Sequence, residues 1–174
     1  MLSQKFNCLA KTLATPKTLP WHHLIKEKET AMGIITDVFV ATHAEALSLN
    51  IEDEPSDFFP TLYSNGGAGV VELGRLESLL TGCDVQEAIV AHQLVKQLSD
   101  EGPWITQVTL SLRQALADLS DDEIAPVGQK WARSEEFELS GWEETDVLGV
   151  LRELVTLARH ATEENKFLFV RNAV

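Results

Sequence analysis

An α+β fold is predicted from the sequence: a helix-rich single domain packed on a small mixed or antiparallel sheet of about three strands. Three observations support this. Residues 33–40, 104–110 and 166–170 are β-branched, aromatic or alternating, as strands require. Most of the chain between them carries apolar residues at helical spacing. The strands do not alternate regularly with helices, which argues against a parallel βαβ array. The chain has 174 residues, 44% of them hydrophobic. A domain of this size buries about 70% of its unfolded surface, enough for a core without disulfides or metals.

The elements follow in order. Gly33 to Val40 reads as the first strand. Thr42-His43-Ala44-Glu45 is a capping box, in which the threonine and glutamate side chains satisfy each other's free N–H groups. A short helix to about Leu49 should follow. Residues 50–69 read as a loop, with an acidic run Glu52-Asp53-Glu54, then Pro55, Phe58-Phe59-Pro60 and Asn65-Gly66-Gly67-Ala68-Gly69. Leu73, Leu76, Leu79 and Leu80 mark a helix that ends at Gly82. Asp84 opens another, with apolar positions from Val85 through Leu98, stopped by Gly102-Pro103.

Trp104 to Leu110 alternates as a strand, and Leu112, Ala115, Leu116 and Leu119 continue as a helix. Ser120-Asp121-Asp122-Glu123 starts a helical piece toward Trp131 that Pro126 and Gly128 should kink or divide. Residues 134–146 hold six acidic side chains around Phe137, Leu139 and Trp142, and read as a loop pinned by its aromatics. Val147, Leu151, Leu154, Ala158 and Ala161 form the apolar stripe of the strongest helix, from about Glu143 to Ala161. Lys166 to Val170 ends the pattern as a strand.

Charge divides the chain at Met32. Residues 1–31 hold five lysines and two glutamates, a net +3; residues 32–174 hold nine basic and 25 acidic residues, a net -16. Two domain assignments follow: 1–31 as a basic N-terminal extension and 32–174 as the α+β domain. The extension is read as mobile or upstream of a true start at Met32; the rival reading is a basic arm docked on the acidic domain.

The overall charge of -13 argues against direct nucleic-acid binding, which draws its affinity from Lys and Arg. No apolar run approaches the ~20 residues of a membrane span. Cys8 and Cys83 form no CxxC pair, and no secretory cleavage pattern is present, so a cytoplasmic location is expected.

The motifs that bear chemistry have plain structural explanations. Cys83 is followed by Asp84 and Glu87, the opposite of the electropositive setting a nucleophilic thiol needs. No histidine pair has zinc-helix spacing; His22-His23 beside Trp21 lacks further ligands, and His160 suits the negative end of its helix. The glycine run at 65–69 lacks the Lys-Ser/Thr ending of a P-loop, and Glu72 would oppose a bound anion. Neither acidic run matches a calcium loop. No catalytic, cofactor-binding or metal-ligating residue is therefore assigned, and no cofactor is expected.

Met32-Gly33-Ile34, the stretch Leu116-Ala117-Asp118-Leu119-Ser120-Asp121-Asp122-Glu123-Ile124, Trp131, Gly141-Trp142 and Glu164-Asn165-Lys166 before an apolar strand resemble the YfbM-like family of uncharacterised bacterial proteins. The resemblance spans about residues 32–170. It implies a compact α+β domain and brings no activity and no catalytic residue.

Acidity without a catalytic signature points to a non-catalytic interaction protein with a basic protein partner, an immunity- or antitoxin-like role being one concrete form. The competing expectation is a small-molecule binder or hydrolase with a cleft near residues 57–69. Its candidate pocket joins Asp57, Phe58, Phe59, Tyr63 and His92. A structural subunit with Trp104, Trp131 and Trp142 as contacts is a third reading.

Overall fold

A computed structural model describes residues 35–173. The basic extension, Cys8, Trp21, the His22-His23 pair and the Met32-Gly33-Ile34 start lie outside the described residues.

The first strand, β1 (Ile35–Ala41), is buried along nearly its whole length. Thr42 then caps α1 (His43–Ser48) through the reciprocal bonds of the capping box, with Thr42 N–H donating to Glu45 at 2.7 Å and Glu45 N–H to Thr42 at 3.2 Å. A 3-10 turn (Pro55–Asp57) leads to β2 (Thr61–Asn65). Helix α2 (Val70–Thr81) stops at Gly82, whose φ of 76° suits a residue without a Cβ. Asp84 caps α3 (Val85–Ala91) by accepting from Gln86 and Glu87 N–H. Strands β3 (Gln93–Gln97) and β4 (Trp104–Gln107) follow. Helices α4 (Leu110–Asp118), α5 (Asp121–Trp131), α6 (Glu135–Ser140) and α7 (Glu144–Glu163) precede the last strand, β5 (Phe167–Ala173).

The α+β class holds, but the sheet has five strands, not about three. All its pairings are antiparallel, in the order β2-β1-β5-β4-β3. Strand alternation sorts the side chains into two layers. Val38, Val40, Leu62, Leu168 and Val170 face the main core, where α7 supplies Leu151, Leu154, Val155, Ala158 and Ala161, α4 supplies Leu112 and Leu116, and α2 supplies Leu73 and Leu76. Phe39, Ala41, Ile105 and Phe169 form a smaller core on the other face, covered by Ala46, Leu49 and Phe59.

Four local expectations are corrected. The loop expected over 50–69 contains β2, which pairs with β1 from Ile35↔Asn65 to Phe39↔Thr61. Pairing to a buried strand supplies order that Thr61, Tyr63, Ser64 and Asn65 do not signal by themselves. The helix expected through Leu98 ends at Ala91. Leu94, Val95 and Leu98 belong instead to β3 and the turn after it, and the apolar spacing fits either conformation over so short a run.

Pro126 does not divide α5, which runs unbroken from Asp121 to Trp131. Pro126 lies on the exposed side of the helix, clear of the core. The loop expected over 134–146 contains α6, though its aromatics do pin it. Trp131 meets Phe137 edge-on at 5.0 Å between centroids, and Phe137 lies 5.6 Å from Trp142.

Candidate functional site

The five residues of the expected pocket do not come together. Tyr63 lies on β2 at one edge of the sheet, whereas His92 enters β3 at the other edge. Four strand spacings of about 4.8 Å separate those edges. Phe59 packs under the sheet against Phe39, with ring centroids 5.5 Å apart, while Asp57 and Phe58 are exposed.

His92 belongs to a different cluster. Its imidazole is fully buried, with Nε2 3.5 Å from Glu77 Oε2. The Thr109 hydroxyl donates to the same Glu77 oxygen at 2.7 Å and accepts from Leu112 N–H, so it caps α4 as well. Burial pushes the His92 pKa down, against the pull of the Glu77 charge and the Gln107 backbone. This cluster ties α2 to the α3–β3 junction and to the start of α4. Sequence alone missed it because its members lie 15 and 17 residues apart (Glu77, His92, Thr109) and meet only in the tertiary fold.

The other buried ion pair lies on the smaller-core side of the sheet. Arg171 Nη1 donates to Asp37 Oδ2 at 3.2 Å across the β1–β5 ladder, and Nη2 donates to the Ile51 carbonyl at 3.4 Å. Burial raises the Asp37 pKa despite Arg171, and Glu54 pushes in the same direction. Lys96 plays a matching role nearby, donating to the Leu47 and Leu49 carbonyls at 2.7 and 2.5 Å. Both cations fasten the segment between β1 and β2 over the sheet.

The glycine loop is a packing device. A Cβ on Gly67 would fall inside the Trp142 indole. The Glu72 carboxylate folds back toward Gly69 at the start of α2, which occupies the place an anion would need. Burial raises the Glu72 pKa, its own and the Gly69 backbone N–H groups lower it, and Glu136 raises it further. Trp131 Nε1–H donates to the Glu72 carbonyl at 3.0 Å.

What stays open to solvent is mostly negative. The described residues include nine Lys and Arg against 25 Asp and Glu. Six of the nine cations are already engaged. Arg75 pairs with Glu136, Arg159 with Asp121, Lys166 with Glu164 and Arg171 with Asp37. Lys96 and Arg113 hold backbone carbonyls. Glu135 and Glu138 on α6, and Glu143, Glu144 and Asp146 at the start of α7, are exposed together. Among them Leu139 stands 80% exposed.

The acidic residues in the first turns of α5, α6 and α7 complement the positive helix ends, so part of this charge also serves local stability. Among the described residues no group of three or more His, Cys, Asp or Glu is placed to hold a metal ion, and no helix is long and apolar enough to cross a membrane. No protein-family model, curated protein or solved structure matches the chain.

Proposed function

We propose that this protein is a non-catalytic interaction module that engages a basic protein partner through the acidic corner formed by α6 and the start of α7. The carrying observation is the exposed Leu139 set among Glu135, Glu138, Glu143 and Glu144, on a surface whose cations are mostly spent on internal contacts. Carboxylates of this kind steer a cationic partner and disfavour polyanions, while an apolar side chain in their midst gives the encounter something to bury. An immunity- or antitoxin-like role is the concrete form we favour, within a YfbM-like family that supplies no activity of its own. The rival reading, a binder or hydrolase near residues 57–69, needs Tyr63 and His92 on one wall, and they stand at opposite edges of the sheet.

Affinity capture with the full chain tests the proposal. The wild type should recover a basic protein at low salt and release it at high salt. The E138K/E143K/E144K variant should recover none of it. Recovery that is indifferent to both changes rules the acidic corner out.

A further inference from the structure

Helix α3 is thinly attached to the body of the domain. Of residues 81–97 only two, Ala88 and His92, are buried, whereas α7 buries eight side chains. Both ends of the stretch that carries α3 are nevertheless fixed. Before it, the Ser78 hydroxyl donates to the Cys83 carbonyl at 2.6 Å. After it, Gln93 pairs with Gln107 and opens the β3–β4 ladder. The span between them, residues 84–92, rests on α2. There the contact is close: a Cβ on Gly74 would stand 2.4 Å from Ile89 Cγ1 and 3.0 Å from the Ile89 backbone.

The larger of the two anchors is also titratable. The His92 side chain has no exposure to solvent, yet among the described residues neither ring nitrogen closes a hydrogen bond of standard geometry. Glu77 of α2 is the charged group that faces it, with Oε2 3.5 Å from Nε2. Thr109, at the start of α4, is neutral and donates to that same Glu77 oxygen at 2.7 Å. From β4 the Gln107 backbone acts on the ring. A buried polar group without a well-formed bond weakens its own seat.

We infer that residues 84–92 are an acid-released flap, which leaves α2 as a unit between fixed ends at Cys83 and Gln93 when His92 takes up a proton. Release and proton uptake are coupled by where the charge is tolerated. The closed seat keeps His92 from water and favours the neutral ring, even with Glu77 beside it. In the open flap the ring is solvated and binds a proton near its ordinary value of about 6.5. The open state therefore gains population as pH falls through that value, by up to about tenfold between pH 7.5 and 5.5. Above neutral pH the dependence levels off. Opening the flap exposes two buried residues, whereas unfolding the domain exposes both cores, so release precedes unfolding. The device draws on no part of the acidic corner, and the two readings can fail separately.

Hydrogen–deuterium exchange of the full chain, read peptide by peptide and corrected for the intrinsic pH dependence of exchange, tests this. At pH 7.5 the amides of residues 85–92 should open about a hundredfold or more above those in the core of α7. Their opening constant should rise by up to about tenfold at pH 5.5. H92Q should abolish that rise. Gly74→Ala, which crowds Ile89 and keeps His92, should raise opening at both pH values by one common factor and leave the pH ratio intact. A flap that opens only as often as α7 overturns local release. An opening constant unchanged between pH 7.5 and 5.5, in the wild type or in Gly74→Ala, overturns the coupling to His92, as does a rise that H92Q retains.

Discussion

His92 Nε2 lies 3.5 Å from Glu77 Oε2, joining two side chains of different elements in a place closed to solvent. The consequence is a pH dependence. Burial, only partly offset by Glu77 and the Gln107 backbone, keeps the folded-state pKa of His92 below its ordinary value. The unfolded chain takes up this proton near pH 6.5 and the folded chain only at lower pH. The His92 contribution to stability is thus complete above about pH 6.5 and is lost as pH falls below it, at up to about 1.4 kcal/mol per pH unit. Urea unfolding at pH 7.5 and 5.5 should show a larger acid loss in the wild type than in H92Q. Equal losses in the two proteins would contradict this role.

Asp37 and Arg171 give a second test. Removing the cation alone, in R171A, leaves a buried carboxylate unpaired and should cost about 3–5 kcal/mol. Replacing both partners, in D37V/R171M, should recover most of that loss, because apolar side chains of similar volume carry no desolvation penalty. Denaturant midpoints check both, and a double variant as unstable as R171A would show that Arg171 acts mainly through the Ile51 carbonyl.

Glycine positions make opposite predictions. Gly67→Ala drives a methyl group into the Trp142 ring and should cost about 1–3 kcal/mol. Gly149→Ala, in the body of α7 with open space around it, should gain about 0.5–1 kcal/mol. A Gly67→Ala protein that melts at or above the wild-type temperature would refute the packing role given to Gly67, and a Gly149→Ala protein that melts below it would refute the open space at Gly149.

These features mark how far sequence carried. The capping box at Thr42, the Gly82 stop, the Asp84 cap and the α7 stripe were legible because each depends on neighbours within a few residues. β2 was not, because its order comes from β1, which lies well away in the chain, and β3 was not, because its short apolar spacing fits a helix as well as an edge strand. The pocket expected around Asp57, Phe58, Phe59, Tyr63 and His92 grouped residues by chemical type. Strand order then carried Tyr63 and His92 to opposite edges. The Glu77–His92–Thr109 cluster and the Asp37–Arg171 pair escaped notice for the same reason. The acidity of the chain was plain from composition, but only the fold shows that so many of its cations are consumed internally.

The most direct measurement is calorimetric titration of the captured partner into the wild type and E138K/E143K/E144K, at about 50 mM and about 500 mM NaCl. For an interface built on exposed carboxylates, wild-type affinity falls tenfold or more across that range as charges are screened. The variant is already weak at the lower salt. An affinity that stays constant with salt, and is the same for both proteins, contradicts a function carried by the acidic corner.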